Sequence, residues 1–166
     1  MYDKGVAKHL CALAQEVMRR PADLSVGDRE RIATHVSSTN NCSFCTQSHM
    51  ACANAFPIAK VSTKLSTLLD LATMVTRLDR DGIAASVEDC KYWGATDSEI
   101  HDTVFIASFF NMCNRYVDGL GTTFAPYEAV EGGRSLAKYG YLMTVRRFFG
   151  EILPKIWRGW RTKYKF

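Results

Sequence analysis

Glu30 to Cys52 reads ERIATHVSSTNNCSFCTQSHMAC, and the spacing of its acid, cysteines and histidine decides how this chain folds and what it can do. Cys42 and Cys45 stand three apart, and Cys45 and His49 four apart. Residues three and four apart are neighbours on a helix, so a helix here lines two sulfurs and an imidazole on one stripe. Asn40 and Asn41 are good N-cap residues. They would put the cysteines in a first turn, where the macrodipole and free N–H groups favour a thiolate. An imidazole can take the thiol proton, and Glu30, twelve residues before Cys42, can orient that imidazole. A second cysteine one turn away can resolve a sulfenic acid or mixed disulfide. Two other readings use the same residues. Cys42, Cys45 and His49 are three possible zinc ligands, with Cys52 or Glu30 as a fourth, although four ligands on one helix make a poor tetrahedron. The cysteines are also compatible with a buried structural cluster.

The chain has 166 residues, 47% hydrophobic and 23% charged. That suits one globular domain with a sizeable core. No run approaches the roughly 20 apolar residues of a membrane span, and no secretory signal opens the sequence. The expected location is the cytoplasm. There the six cysteines are reduced, so a redox-cycling pair is a better reading of CxxC than a permanent disulfide. From Val145 onward seven Lys/Arg accompany one acid, a tail of +6, while the other 144 residues carry −2. A basic tail on a slightly acidic body argues against nucleic-acid binding as the main business.

Outward from the central stretch, the pattern is helical throughout. Residues 3–20 place Val6, Leu10, Leu13 and Val17 at helical spacing, and Pro21 stops them. Ser25 and Asp28 open a second helix over about 26–38. Glu30 lies at the edge of its apolar arc and points partly inward; His35 is expected to be exposed. The third helix runs from about Cys42 to Phe56, with Cys52 as core filling. Ser62–Leu78 is amphipathic, Asp79–Gly82 reads as a turn, and Val87–Trp93 is a short helix capped by Ser86. Thr96 and Glu99 form a capping box for a long helix ending near Asn114–Tyr116. Glu131-Gly132-Gly133 reads as a flexible joint before a helix over about 135–149. In the basic tail, residues 145–166, aromatics alternate with cations. It is expected to dock on the protein itself or on a neighbouring subunit rather than on a membrane. With no sustained period-two alternation, the fold class is all-α.

These residues resemble the carboxymuconolactone decarboxylase/AhpD-like superfamily, in its alkylhydroperoxidase or peroxidase-related branch. The first block is Leu24-Ser25 with Glu30, Asn41-Cys42, Cys45 and His49. The second runs from Lys64-Leu65 through Ala72 and Thr76 to Trp93-Gly94-Ala95-Thr96, then Phe110-Asn111, Asn114-Arg115, Asp118-Gly119 and Gly121. The match covers about residues 20–125. The resemblance implies an AhpD-like helical domain over 1–125 with a C-terminal extension over 126–166, assembled as a homo-oligomer: a trimer, a hexamer or a dimer. It also implies catalytic residues Glu30, Cys42, Cys45 and His49. Cys45 would be the attacking thiolate, His49 its base, Glu30 the orienting acid and Cys42 the resolving thiol, with a hydroperoxide as substrate and an external dithiol as reductant. No bound cofactor or metal is implied. Phe44 departs from the pattern: the best-studied AhpD enzymes carry a histidine there, and its replacement weighs against strong peroxidase activity. The decarboxylase members lack the cysteine pair, so lactone decarboxylation is not expected.

Overall fold

The computed structural model describes residues 4–57, 61–121 and 125–147. These form seven helices and no strand: α1 (Lys4–Arg19), α2 (Val26–Thr39), α3 (Ser43–Ala53), α4 (Thr63–Arg77), α5 (Arg80–Tyr92), α6 (Asp97–Gly119) and α7 (Pro126–Arg147). The all-α expectation holds. Most of the basic tail lies outside the described residues, so its docking is not described.

Local chemistry explains most boundaries. Ser25 Oγ accepts the Asp28 N–H, and Ser62 Oγ accepts the Leu65 N–H. Thr96 and Glu99 make the full reciprocal capping box at α6. Helix α4 ends on Leu78 in the left-handed conformation (φ 58°). Asp79–Gly82 is not a turn between helices. Asp79 is itself an N-cap, accepting the Gly82 N–H, and α5 starts at Arg80 rather than Val87. The short polar residues that mark a turn also mark a helix start. Ser86 is therefore a buried mid-helix residue, not a cap.

The core gathers Ala14 and Met18 of α1, Ile32, Ala33 and Val36 of α2, Leu68, Leu71 and Ala72 of α4, and Ile106, Ala107, Phe109 and Phe110 of α6. Arg29 is buried beside it, yet each of its three nitrogens donates a hydrogen bond. Its guanidinium donates to the carbonyls of Val17 (3.1 Å), Arg20 (2.8 Å) and Leu24 (3.1 Å). It thus satisfies carbonyls that the end of α1 leaves open and fixes α1 against α2. His35, expected on the surface, is half-buried, with Nε2 2.7 Å from Thr73 Oγ1 of α4.

Residues 131–133 are not a joint. Helix α7 runs through them and packs along α3. A Cβ on Gly133 would sit 2.0 Å from the Ser48 carbonyl oxygen, so glycine is what lets the two backbones approach. A Cβ on Gly132 would meet nothing within 4 Å. The two neighbours should therefore respond oppositely to alanine. Gly132→Ala is expected to stabilise the fold by about 0.5–1 kcal/mol through helix propensity. Gly133→Ala is expected to destabilise it by about 1–3 kcal/mol, because backbone must move to admit the methyl group. Denaturant midpoints of the two variants check this; equal effects would show that α7 does not sit tightly on α3.

Candidate active site

The loop from α2 to α3 places the cysteines. Asn40 caps the end of α2, and Asn41 takes the left-handed conformation (φ 58°), which asparagine tolerates. The Cys42 N–H then donates to the Ser37 carbonyl at 3.0 Å. Asn40 and Asn41 are thus not the N-cap of α3; Cys42 is, in extended backbone conformation. A buried amide network holds this loop to α6. Asn40 Nδ2 donates to Asn114 Oδ1 (2.9 Å) and Asn111 Oδ1 (3.1 Å), and Asn114 Nδ2 donates to Ser37 Oγ (3.1 Å).

Cys42 and Cys45 are free thiols, 1% and 5% exposed. They are hydrogen-bonded neighbours, and their acidities move in opposite directions. Cys42 is lowered, first by the hydrogen bond from the Cys45 thiol and then, against burial, by the Cys45 backbone N–H; Asp118 of α6 opposes this. Its sulfur does not form a regular capping bond, but the N–H dipole still favours its ionised form. Cys45 is raised, because it gives its proton towards Cys42, because it is buried and because an adjacent thiolate repels a second charge; Asn114 partly offsets this. When the reduced pair ionises, its first negative charge therefore rests on Cys42, and the pair titrates as a unit.

One turn beyond Cys45, His49 is buried, its ring edge-on to Phe110 with centroids 4.4 Å apart. Its Nδ1 lies 2.7 Å from Glu30 Oε2. Glu30 is 0% exposed. Burial alone would raise its carboxyl, but the hydrogen bond and charge of His49, followed by those of Arg19, bring it below the usual carboxylate range. An ionised Glu30 requires a proton on Nδ1, so neutral His49 carries its lone pair on Nε2, which Glu30 does not hold.

The other carboxylate oxygen is also taken. Arg19 Nη1 lies 2.7 Å from Glu30 Oε1, and Tyr141 Oη donates to the same oxygen at 3.1 Å. Arg19 Nη2 donates to the Leu136 carbonyl (3.2 Å) and reaches Cys52 Sγ (3.4 Å). Cys52, buried beside Glu30, has its thiol pushed up by burial and then by the carboxylate. It is a poor thiolate, as its reading as core filling expects.

All four residues singled out by spacing lie on this α2–α3 face: Glu30 and His49 in direct contact, Cys42 and Cys45 in direct contact, and His49 one turn from Cys45. Arg19, Asn114 and Tyr141 were not foreseen as partners. Arg19 reads in the sequence as a charge closing α1. Asn114 stands in a motif with no stated role, and Tyr141 lies beyond the residues 20–125 that carry the resemblance. Among the described residues no three His, Cys, Asp or Glu side chains are placed to hold a metal ion. None of their helices is long and apolar enough to cross a membrane. A groove of about 350 Å³ between α3 and α7 is lined by Gln47, Met50, Asn54 and Arg134 among others. It lies on the α3 face away from the cysteines and does not serve them.

Residues 4–56 match the model of the carboxymuconolactone decarboxylase family, a span that contains Glu30, Cys42, Cys45 and His49. No curated protein gives a significant match. Among solved structures the chain is similar to an uncharacterized peroxidase-related protein from Silicibacter sp. TM1040, with a TM-score of 0.59 and 26% identity. That match covers 67% of this chain and 65% of the other, just under two thirds of its length. A CxxC pair at the head of a helix, a glutamate-held histidine one turn on and an all-helical fold agree with these two matches: over residues 4–56 the chain is similar to the carboxymuconolactone decarboxylase family, and over 67% of its length it shares the fold of a peroxidase-related protein.

Proposed function

We propose that the chain is a thiol-dependent peroxidase or disulfide oxidoreductase that reduces a hydroperoxide through Cys42 and Cys45. The observation that carries this reading is the pair itself: two adjacent reduced sulfurs, one of them acidified, a turn from a histidine fixed by a buried carboxylate. The printed description of the structural neighbour, peroxidase-related, agrees with it.

The residues divide the work as follows. Cys45, one turn from His49, gives its proton to Nε2 and attacks the terminal oxygen of the hydroperoxide. The O–O bond breaks, the alkoxide leaves with the proton from His49, and Cys45 becomes a sulfenic acid. Cys42, the more acidic thiol, is the thiolate that attacks this sulfur. Hydroxide leaves, takes up a proton as water, and the Cys42–Cys45 disulfide remains. An external dithiol reduces it, passing two electrons and two protons to the pair. Glu30 orients His49 and stabilises its cation without itself taking the proton. In this reading the protein works in the cytoplasm as a homo-oligomer, with no bound cofactor.

The near-complete burial of both sulfurs favours a second reading, a redox sensor that oxidises once without turnover. Peroxide loss followed over many equivalents in the presence of a dithiol separates the two. An enzyme consumes many equivalents per protein, and a sensor about one.

Two measurements bear on the roles. Cys45→Ser should abolish peroxide consumption, Cys42→Ser should leave a sulfenic acid on Cys45 that a dimedone probe traps, and His49→Gln should slow turnover by about 10²–10⁴-fold as expected for a lost general base. Undiminished consumption by Cys45→Ser would sink the proposal, and a dimedone adduct on Cys42 in that variant would exchange the two sulfurs' roles. Separately, thiolate absorbance followed against pH should show a first step below the ordinary thiol value of about 8.5. A lowered thiol is ionised above its pKa, so this step should vanish in Cys42→Ser. It should persist in Cys113→Ser, whose thiol burial pushes up to about 12.

A further inference from the structure

We propose that Tyr141, delivered by a break in α7, is a positioning residue of the thiol site: with Arg19 it saturates one oxygen of Glu30 and so leaves the other to hold His49 in a single orientation. The inference rests on the reading of Glu30 and His49 as the acid–base pair, and it reaches into the segment beyond the family match, which ends at residue 56.

The two carboxylate oxygens have separate partners. Oε1 takes Arg19 Nη1 at 2.7 Å and the Tyr141 hydroxyl at 3.1 Å, and Oε2 takes His49 Nδ1 at 2.7 Å. Donors on both oxygens prevent the carboxylate from rotating away from the imidazole, and each favours the ionised form. The titratable groups around Glu30 are Arg19 on α1, Arg29 on α2, His49 and Cys52 on α3, and Tyr141 on α7. Burial, followed by the adjacent carboxylate, pushes the Tyr141 hydroxyl well above its ordinary range, so it stays a donor at every working pH.

The backbone around Tyr141 is built for this contact. At Gly140 α7 breaks with φ 66° and ψ −168°, a region open to glycine almost alone. A Cβ there would lie 2.6 Å from Gln15 Oε1. That same oxygen accepts the Tyr141 N–H at 2.7 Å. One turn along α1 from Gln15, the Arg19 guanidinium lies over the Tyr141 ring, 5.0 Å from its centroid. Helix α1 therefore holds Tyr141 twice, by its backbone through Gln15 and by its ring through Arg19. A helix continuing regularly through residue 140 would carry the phenol elsewhere. Placing a hydroxyl on a buried carboxylate in this way supplies a donor without adding a charge.

The test uses the full chain with Tyr141→Phe, which keeps the ring and removes only the donor. The Glu30 carboxyl is followed by ¹³C resonance against pH, and disulfide formation at Cys42–Cys45 is followed against pH on addition of a small hydroperoxide. Loss of a hydrogen bond to a charged group should raise the Glu30 midpoint by about one pH unit or more. A carboxylate must be ionised to hold His49, so the acid limb of the oxidation rate should move up by the same amount. Fluorotyrosine at 141, a stronger donor of nearly equal volume, should move both midpoints down and keeps the test open if Tyr141→Phe folds poorly. An unmoved Glu30 midpoint in both variants overturns the inference. The Glu30 titration needs no turnover, so a protein that never consumes peroxide would defeat the peroxidase reading while still deciding the role of Tyr141.

Discussion

A carboxylate without access to water constrains this fold more than any other group. An ionised carboxyl buried alone is costly enough that it would take up a proton. Glu30 remains a carboxylate because α1 supplies Arg19, α3 supplies His49 and α7 supplies Tyr141. Four helices therefore meet at one side chain. Breaking a buried ion pair by removing a single partner typically costs about 3–5 kcal/mol, since it strands the other charge. The same contacts that orient His49 thus hold α1 and α7 against α2 and α3. Arg19 adds to this by donating to the Leu136 carbonyl of α7 and by lying over the rings of Phe56 and Tyr141. Site geometry and packing are here one set of interactions.

This constraint also sorts the nearby thiols. Cys52 lies beside the carboxylate and is driven towards the neutral thiol, which disfavours the reactive thiolate there despite its position on the same helix. Cys42 occupies the N-cap of α3, where the Cys45 thiol and N–H favour a negative charge. Two negative sites, the carboxylate and the thiolate, are kept apart along α3, with His49 in contact with the carboxylate and one turn from Cys45. A cation formed on His49 would be stabilised at Nδ1 by Glu30, while Nε2 is left to exchange its proton. A single charge shared by two sulfurs gives either a route to the thiolate form without creating a second buried anion.

The helices were legible wherever their signals are local. Thr96 with Glu99 and Ser25 with Asp28 carry their caps within four residues, and both helix starts were read correctly. Asp79 was misread because an aspartate followed by glycine serves a turn and an N-cap equally, and only packing decides between them. Gly132 and Gly133 look like a hinge in sequence; the Ser48 backbone that demands Gly133 lies on another helix. Glu30, Cys42, Cys45 and His49 were legible as a set because helical spacing places the last three, and the place of Glu30 at the edge of an apolar arc gives it an inward direction. The division of charge between the sulfurs was not legible. It depends on Cys42, rather than Asn40 or Asn41, being the N-cap, and on Asn114 and Asp118 arriving from α6. Tyr141 meets Glu30 across 111 positions, and no periodicity reports a contact of that range.

The burial of both sulfurs bears on what a sulfenic acid could do here. Such an acid can be oxidised further, irreversibly, if a second peroxide reaches it before a thiol does. In the proposed cycle the sulfur that would resolve Cys45 is its neighbour Cys42, the more acidic of the two. A second peroxide must instead enter a site whose sulfurs are only 1% and 5% exposed. In that cycle enclosure would slow the first encounter with a peroxide, but it would slow a damaging second encounter as well, while the intramolecular step would be unaffected. Under the proposed function, an enclosed pair with an acidified Cys42 would favour a clean cycle over a fast one, and Phe44, an apolar residue between the two cysteines, is consistent with that reading.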